Sequence, residues 1–166
     1  MTDAGAPEAM QDRLRRLVVT ETDDPRTLDP RSVAGLDVAY ETGGEGLAAA
    51  VVVLDPASFE VVESASVTGR AALDSIGVAK QPLIGTWDAP AEPRGSWSPL
   101  KDGDEVVGRV LRTQTGVRPV FVSVGHRIDL RTASDLVLRL SPSHRLPETT
   151  RLADHLAGQA LKAAGG

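Results

Sequence analysis

The sequence predicts one domain of mixed α/β or α+β class. Three observations carry this reading. β-branched apolar runs separated by turn residues fill 32–67, a hairpin pattern occupies 105–124, and two amphipathic helical segments follow. A chain of 166 residues is one domain long, enough to bury roughly 70% of the surface an unfolded chain exposes. No segment repeats another.

Taken in order, residues 1–10 read as disordered and 11–163 as the single domain. Gln11–Val19 carries Leu14, Leu17 and Val18 at helical spacing. An acidic, Pro-containing connector, Thr20–Arg31, leads to the runs Ser32–Tyr40, Leu47–Leu54 and Phe59–Val67. The turns between them, Thr42-Gly-Gly-Glu-Gly46 and Asp55-Pro-Ala-Ser58, make an antiparallel three-strand meander. Ser75–Ala79 is a further short strand, and Pro82–Pro99 reads as an ordered loop because Pro and Gly interrupt any periodicity. After a turn at Lys101-Asp-Gly-Asp104, Glu105–Thr113 and Arg118–Val124 pair as a hairpin. Asp129 caps a helix with apolar Leu130, Leu136, Val137 and Leu140. Pro147 and Glu148 open a last helix carrying Leu152, Leu156, Ala160 and Leu161.

Composition excludes several chemistries. The absence of cysteine removes disulfide scaffolds, thiolate zinc sites and thiol nucleophiles. No apolar run approaches the roughly 20 residues of a membrane helix, and no basic-then-apolar leader is present, so a cytoplasmic protein without a membrane partner is expected. HExxH, GxGxxG, Walker and GxSxG patterns do not occur. Only five aromatics are present (Tyr40, Phe59, Trp87, Trp97, Phe121), too few for an array of base-stacking platforms. The net charge of −5 hides an asymmetry: residues 1–79 hold 6 basic and 14 acidic side chains, whereas 80–151 hold 11 and 8. The basic excess lies in the later part and is mostly arginine, which suits bidentate phosphate contact.

Two positions stand out as chemistry. Asp37 sits inside Val33-Ala-Gly-Leu-Asp-Val-Ala-Tyr40, where strand alternation places Gly35, Asp37 and Ala39 on one face. A mid-strand carboxylate must be exposed, paired or metal-bound, and its tiny neighbours leave room for an ion or a phosphate. Val124-Gly-His-Arg127 follows an apolar strand; His126 is a candidate proton carrier or metal ligand, and Arg127 a candidate phosphate clamp. For each, the competing reading is an ordinary surface residue. His144 and His155 read as surface residues.

Several blocks, in order, resemble the endonuclease V family: Gly35-Leu-Asp-Val-Ala-Tyr40, Ile76-Gly-Val-Ala-Lys80, Arg94-Gly-Ser-Trp-Ser-Pro-Leu100, Pro119–Arg127 and Arg145-Leu-Pro-Glu-Thr-Thr-Arg-Leu-Ala-Asp154. The resemblance implies an RNase H-like mixed sheet flanked by helices, and a hydrolase of DNA or RNA near deaminated adenine (inosine), acting in repair with Mg²⁺ or Mn²⁺. It implies that Asp37 is a catalytic, metal-binding carboxylate and His126 the active-site histidine. Lys80, Gly77, Arg127 and Arg94 are implied to face the nucleic acid. Between the third strand and Ser75, however, the family holds several tens of residues with a Pro-Tyr-Ile-Pro wedge and two further carboxylates. Here that interval is only Thr68-Gly-Arg-Ala-Ala-Leu-Asp74. One central crossover, helix plus strand, is therefore missing, and a parallel crossover normally takes roughly a dozen residues or more. The expectation is impaired cleavage with weakly bound metal, in a monomer or a swapped dimer. Strand 75–79 beside the first strand would bring Lys80 toward Asp37. The alternatives are a non-catalytic nucleic-acid-binding relic and a marginally folded gene remnant.

Overall fold

A computed structural model describes residues 5–21, 29–70 and 85–165. The chain divides into two compact units, one from 28–76 with 139–166, the other from 1–27 with 77–138.

The first unit is a three-stranded antiparallel sheet carrying a long helix. Its strands are β1 (Val33–Tyr40), β2 (Gly46–Leu54) and β3 (Val61–Arg70), in the order β1-β2-β3. This is the meander expected from the β-branched apolar runs and the turns between them. β2 is central, and its period of two is visible in burial: Ala48, Ala50, Val52 and Leu54 are each at most 5% exposed. Asp55 sets the β2–β3 turn by accepting the Ala57 and Ser58 N–H groups at 2.7 and 3.0 Å. Those bonds hold its carboxyl below the usual carboxylate range.

The C-terminal helix (Glu148–Gly165) covers one face of this sheet. Its line of closest approach is Thr149, Ala153 and Ala157, spaced four apart and almost fully buried, and not the Leu152, Leu156, Ala160 and Leu161 positions that the sequence singled out. Small residues let the helix axis come down onto the sheet. Leu152 and Leu156 flank it and close the core around Val52, Leu54 and Ala153, together with Val33 and Phe59. Full burial of a side chain such as Leu54 contributes about 2 kcal/mol.

In the second unit the N-terminal helix runs from Gly5 to Arg15, so it begins inside the stretch expected to be disordered and ends before Val19. Leu14 and Leu17 are 50% and 64% exposed, so burial of the Leu14/Leu17/Val18 stripe does not extend the helix. The sheet consists of β4 (Trp97–Asp102), β5 (Glu105–Leu111) and β6 (Val120–Ser123), all antiparallel and in that order. The β5–β6 hairpin is as expected, but β4 corrects the loop reading of Pro82–Pro99. As an edge strand, β4 tolerates Pro99, whose missing N–H would break a ladder only in a central strand. A helix from Leu130 to Arg139 follows; the Asp129 carboxylate caps it by accepting the Thr132 N–H and Oγ1 hydrogens, both at 2.8 Å. Numbered in chain order, the helices are α1 (Gly5–Arg15), α2 (Leu130–Arg139) and α3 (Glu148–Gly165). No described helix is long and apolar enough to cross a membrane. The proposed strand 75–79 lies outside the described residues.

Candidate active site

Asp37 stands on β1 opposite Ala50 of β2, half-buried, on the face that receives α3. Two residues earlier on that face, Gly35 meets the first turn of α3. A Cβ built at Gly35 would lie 2.3 Å from the Thr149 carbonyl carbon and 2.5 Å from its oxygen. The space that Gly35 leaves is thus filled by helix backbone, which corrects the idea that it holds room for an ion.

That helix end is itself a charged cluster. Glu148, 12% exposed, accepts hydrogen bonds from Arg151 Nε at 3.0 Å and Nη2 at 2.6 Å, and its other oxygen lies 2.6 Å from His144 Nδ1. The Arg151 hydrogen bonds, more than the opposing effect of burial, hold the Glu148 carboxyl below its ordinary value, and His144 adds to this. Arg151 is raised in turn by the same bonds. An acid in the first turn also suits the helix dipole. Sequence reasoning missed this trio. Its trace was the Glu-x-x-Arg spacing at a helix start, with a histidine four residues before.

His126 and Arg127 belong to the other unit. The turn after β6 closes through a bridge between Gly125 and Ile128, and Val19 pins it from outside. The Val19 N–H donates to His126 Nδ1 at 3.3 Å, and the Arg127 N–H donates to the Val19 carbonyl at 2.6 Å. Arg127 has a φ of 59°, a left-handed conformation uncommon for a non-glycine residue. With Nδ1 used as an acceptor, the exposed imidazole presents Nε2 as its N–H donor.

Arg94 is engaged internally. Its Nη1 donates to the Thr113 carbonyl and its Nη2 to the Leu138 carbonyl at 2.7 Å, so the side chain braces the β5–β6 connection and the end of α2. Arg112, 7% exposed, does similar work, donating to the Ala91, Val117 and Pro90 carbonyls. Lys80 and Gly77 lie outside the described residues, and with them the Lys80 approach to Asp37. Among the described residues no three His, Asp or Glu side chains converge as metal ligands.

A second arrangement not foreseen in the sequence is the stack of Arg109 on Trp97, with the guanidinium carbon 4.0 Å from the ring centroid. It became visible only once β4 was a strand, since pairing of Pro99 with Arg109 puts Trp97 diagonally across from the arginine.

The family profile Endonuclease V matches residues 70–155. Endonuclease V of Streptomyces avermitilis is 38% identical in an alignment covering 94% of this chain and 91% of that protein. The chain belongs to the endonuclease V family. Endonuclease V of Nocardia farcinica is 37% identical, with 99% of this chain and 96% of that protein covered. The crystal structure of the Streptomyces avermitilis protein superposes with a TM-score of 0.79 at 36% identity, covering 96% of this chain and 93% of that one. Endonuclease V of Bacillus subtilis superposes at 0.82 with 20% identity, covering 99% and 94%. The family's RNase H-like fold is therefore the fold of this chain. The Streptomyces avermitilis alignment runs over 210 positions while taking in 94% of a 166-residue chain. Several tens of endonuclease V positions thus face a gap here.

Proposed function

We propose that this endonuclease V-family chain binds inosine-containing DNA or RNA and that its phosphodiester cleavage is strongly reduced. One observation carries the second half: several tens of positions of the Streptomyces avermitilis protein have no counterpart in this chain. A Mg²⁺ ion in a phosphodiesterase needs a fixed octahedral oxygen shell, anchored by carboxylates and completed by water and phosphate. Asp37 alone does not meet that requirement, and the gap of several tens of positions relative to the Streptomyces avermitilis protein supports the reading that its partner carboxylates are missing.

The binding half rests on the family and on the chemistry of the residues present. A Ciona intestinalis endonuclease V of the same fold, superposing at 0.73, has been crystallised with a 24mer DNA containing an inosine. In the proposal Asp37 retains the metal-facing and catalytic position, and His126 offers Nε2–H to a phosphate oxygen. Arg127 and Lys80 contact the backbone, Gly77 admits the lesion, and Arg94 serves the nucleic-acid surface by bracing it. The protein works in the cytoplasm, as a monomer or a swapped dimer.

The test is a nicking assay on inosine-containing duplex and single strands with Mg²⁺ or Mn²⁺, run beside a binding titration. Salt-dependent binding with nicking near background is the expected result. Robust turnover that Asp37→Ala abolishes would overturn the reduced-cleavage reading, and absence of binding would overturn the whole.

A further inference from the structure

Trp97 and Arg109 form a contact that neither the fold nor the residues discussed above account for. Trp97 is 48% exposed on edge strand β4, and the Arg109 guanidinium lies 4.0 Å over its ring. They share one face of the sheet with Pro99, which is paired directly with Arg109, while the Trp87–Phe121 edge-to-face pair involves the opposite face, where Phe121 pairs with Val110. Arg109 differs from the structural arginines of this unit. Arg94 and Arg112 are each taken up by backbone carbonyls. Arg109 Nε is buried with no hydrogen-bond partner, and among the described residues no carboxylate or carbonyl engages the guanidinium.

Nε is buried, so the two Nη groups are the donors left to face a ligand. Stacking on the indole fixes the guanidinium plane in advance, so an incoming anion meets an ordered fork of donors. The same indole, half exposed, has aromatic surface for a flat ring. An aromatic ring with an arginine beside it supplies the two groups that single-strand binding uses, a stacking surface and a cation for the backbone.

We propose that Trp97 and Arg109 form a single base-and-phosphate contact for a single-stranded segment of the bound nucleic acid: the indole stacks one base and the guanidinium takes the adjacent phosphate. The inference rests on the nucleic-acid reading above and adds a named contact to it. One such platform is compatible with the scarcity of aromatics, because it anchors a strand without coating it.

The experiment is a fluorescence-anisotropy titration of a dye-labelled single-stranded inosine oligonucleotide, without divalent metal, over a range of salt. Trp97→Ala and Arg109→Gln should each weaken binding about tenfold, the scale of losing one base stack. The double variant should be little worse than either single one, since the two groups act as a unit. Arg109→Gln should also flatten the salt dependence by about one phosphate contact, which Trp97→Phe should not do. In a Trp87→Phe protein the remaining indole should be quenched as oligonucleotide is added, a readout that survives if Trp97→Ala fails to fold. Wild-type affinity in both single variants, with the parent protein binding normally, would overturn this inference and leave the nucleic-acid reading intact. Failure of the parent protein to bind would overturn both. Quenching by polyglutamate as strong as by the oligonucleotide would assign the contact to an acidic protein partner and overturn it as well.

Discussion

Gly35 of β1 lies directly under Thr149 of α3, so close that a methyl group at residue 35 would sit 2.3 Å from the Thr149 carbonyl carbon. The clash is with helix backbone, which cannot rotate away as a side-chain end would. Gly35→Ala is expected to destabilise the protein by about 2 kcal/mol, the usual scale of overpacking. Urea unfolding checks this as a lowered midpoint at unchanged slope. An unchanged midpoint would mean that α3 is held more loosely than the geometry implies.

Arg112 is heavily committed, donating to three backbone carbonyls while 7% exposed. Arg112→Ala strands those carbonyls in a buried place and should cost about 3 kcal/mol. Glu92, 3.8 Å away and 72% exposed, is a surface partner, and Glu92→Ala should change stability by less than about 0.5 kcal/mol. Comparable losses from the two substitutions in thermal melts would show that the ion pair, and not the carbonyl bonds, does the holding.

The His144–Glu148–Arg151 cluster sets an acid limit. The folded-state pKa of Glu148 is depressed below the ordinary glutamate value of 4.5. Its contribution is therefore complete above that value and disappears as pH falls through the folded pKa. Because His144 and Arg151 are 53% and 40% exposed, solvent screens the pairing, and Glu148→Gln should cost only about 1 kcal/mol at neutral pH. Melting curves of both proteins should differ at pH 7, and the gap should shrink at pH 3. A gap of equal size at both pH values would contradict this origin.

His126 accepts the Val19 N–H at Nδ1, so its neutral ring should carry the proton on Nε2. Long-range ¹H–¹⁵N correlation of the histidine rings would show an Nε2–H pattern for this residue. An Nδ1–H pattern would mean that Val19 is not its partner and would remove the outward donor assigned to it.

The strands, their order in the chain and their pairing within each hairpin were legible because the β-branched apolar run Leu47–Leu54, turn chemistry at Asp55 and the hairpin around Gln114 are local properties. So was the cap at Asp129. β4 was not, since Pro99 reads as a strand breaker unless the strand is known to lie at an edge, and edge position is a fact about neighbours. The same ignorance hid the Trp97–Arg109 stack, whose members are twelve residues apart and meet only through β4–β5 register.

By itself the sequence determined the mixed fold class, the family resemblance, the short interval 68–74 and the two residues that anchor the functional reading, Asp37 and His126. These depend on residue identity and spacing alone. Tertiary structure alone decided that the space beside Gly35 belongs to Thr149, that Arg94 braces backbone while Arg109 stacks on Trp97, and that His126 leans on Val19, 107 residues away. Each of these depends on which groups from distant parts of the chain arrive at the same place. Burial and hydrogen-bond saturation are properties of that meeting, and no single stretch of sequence contains them.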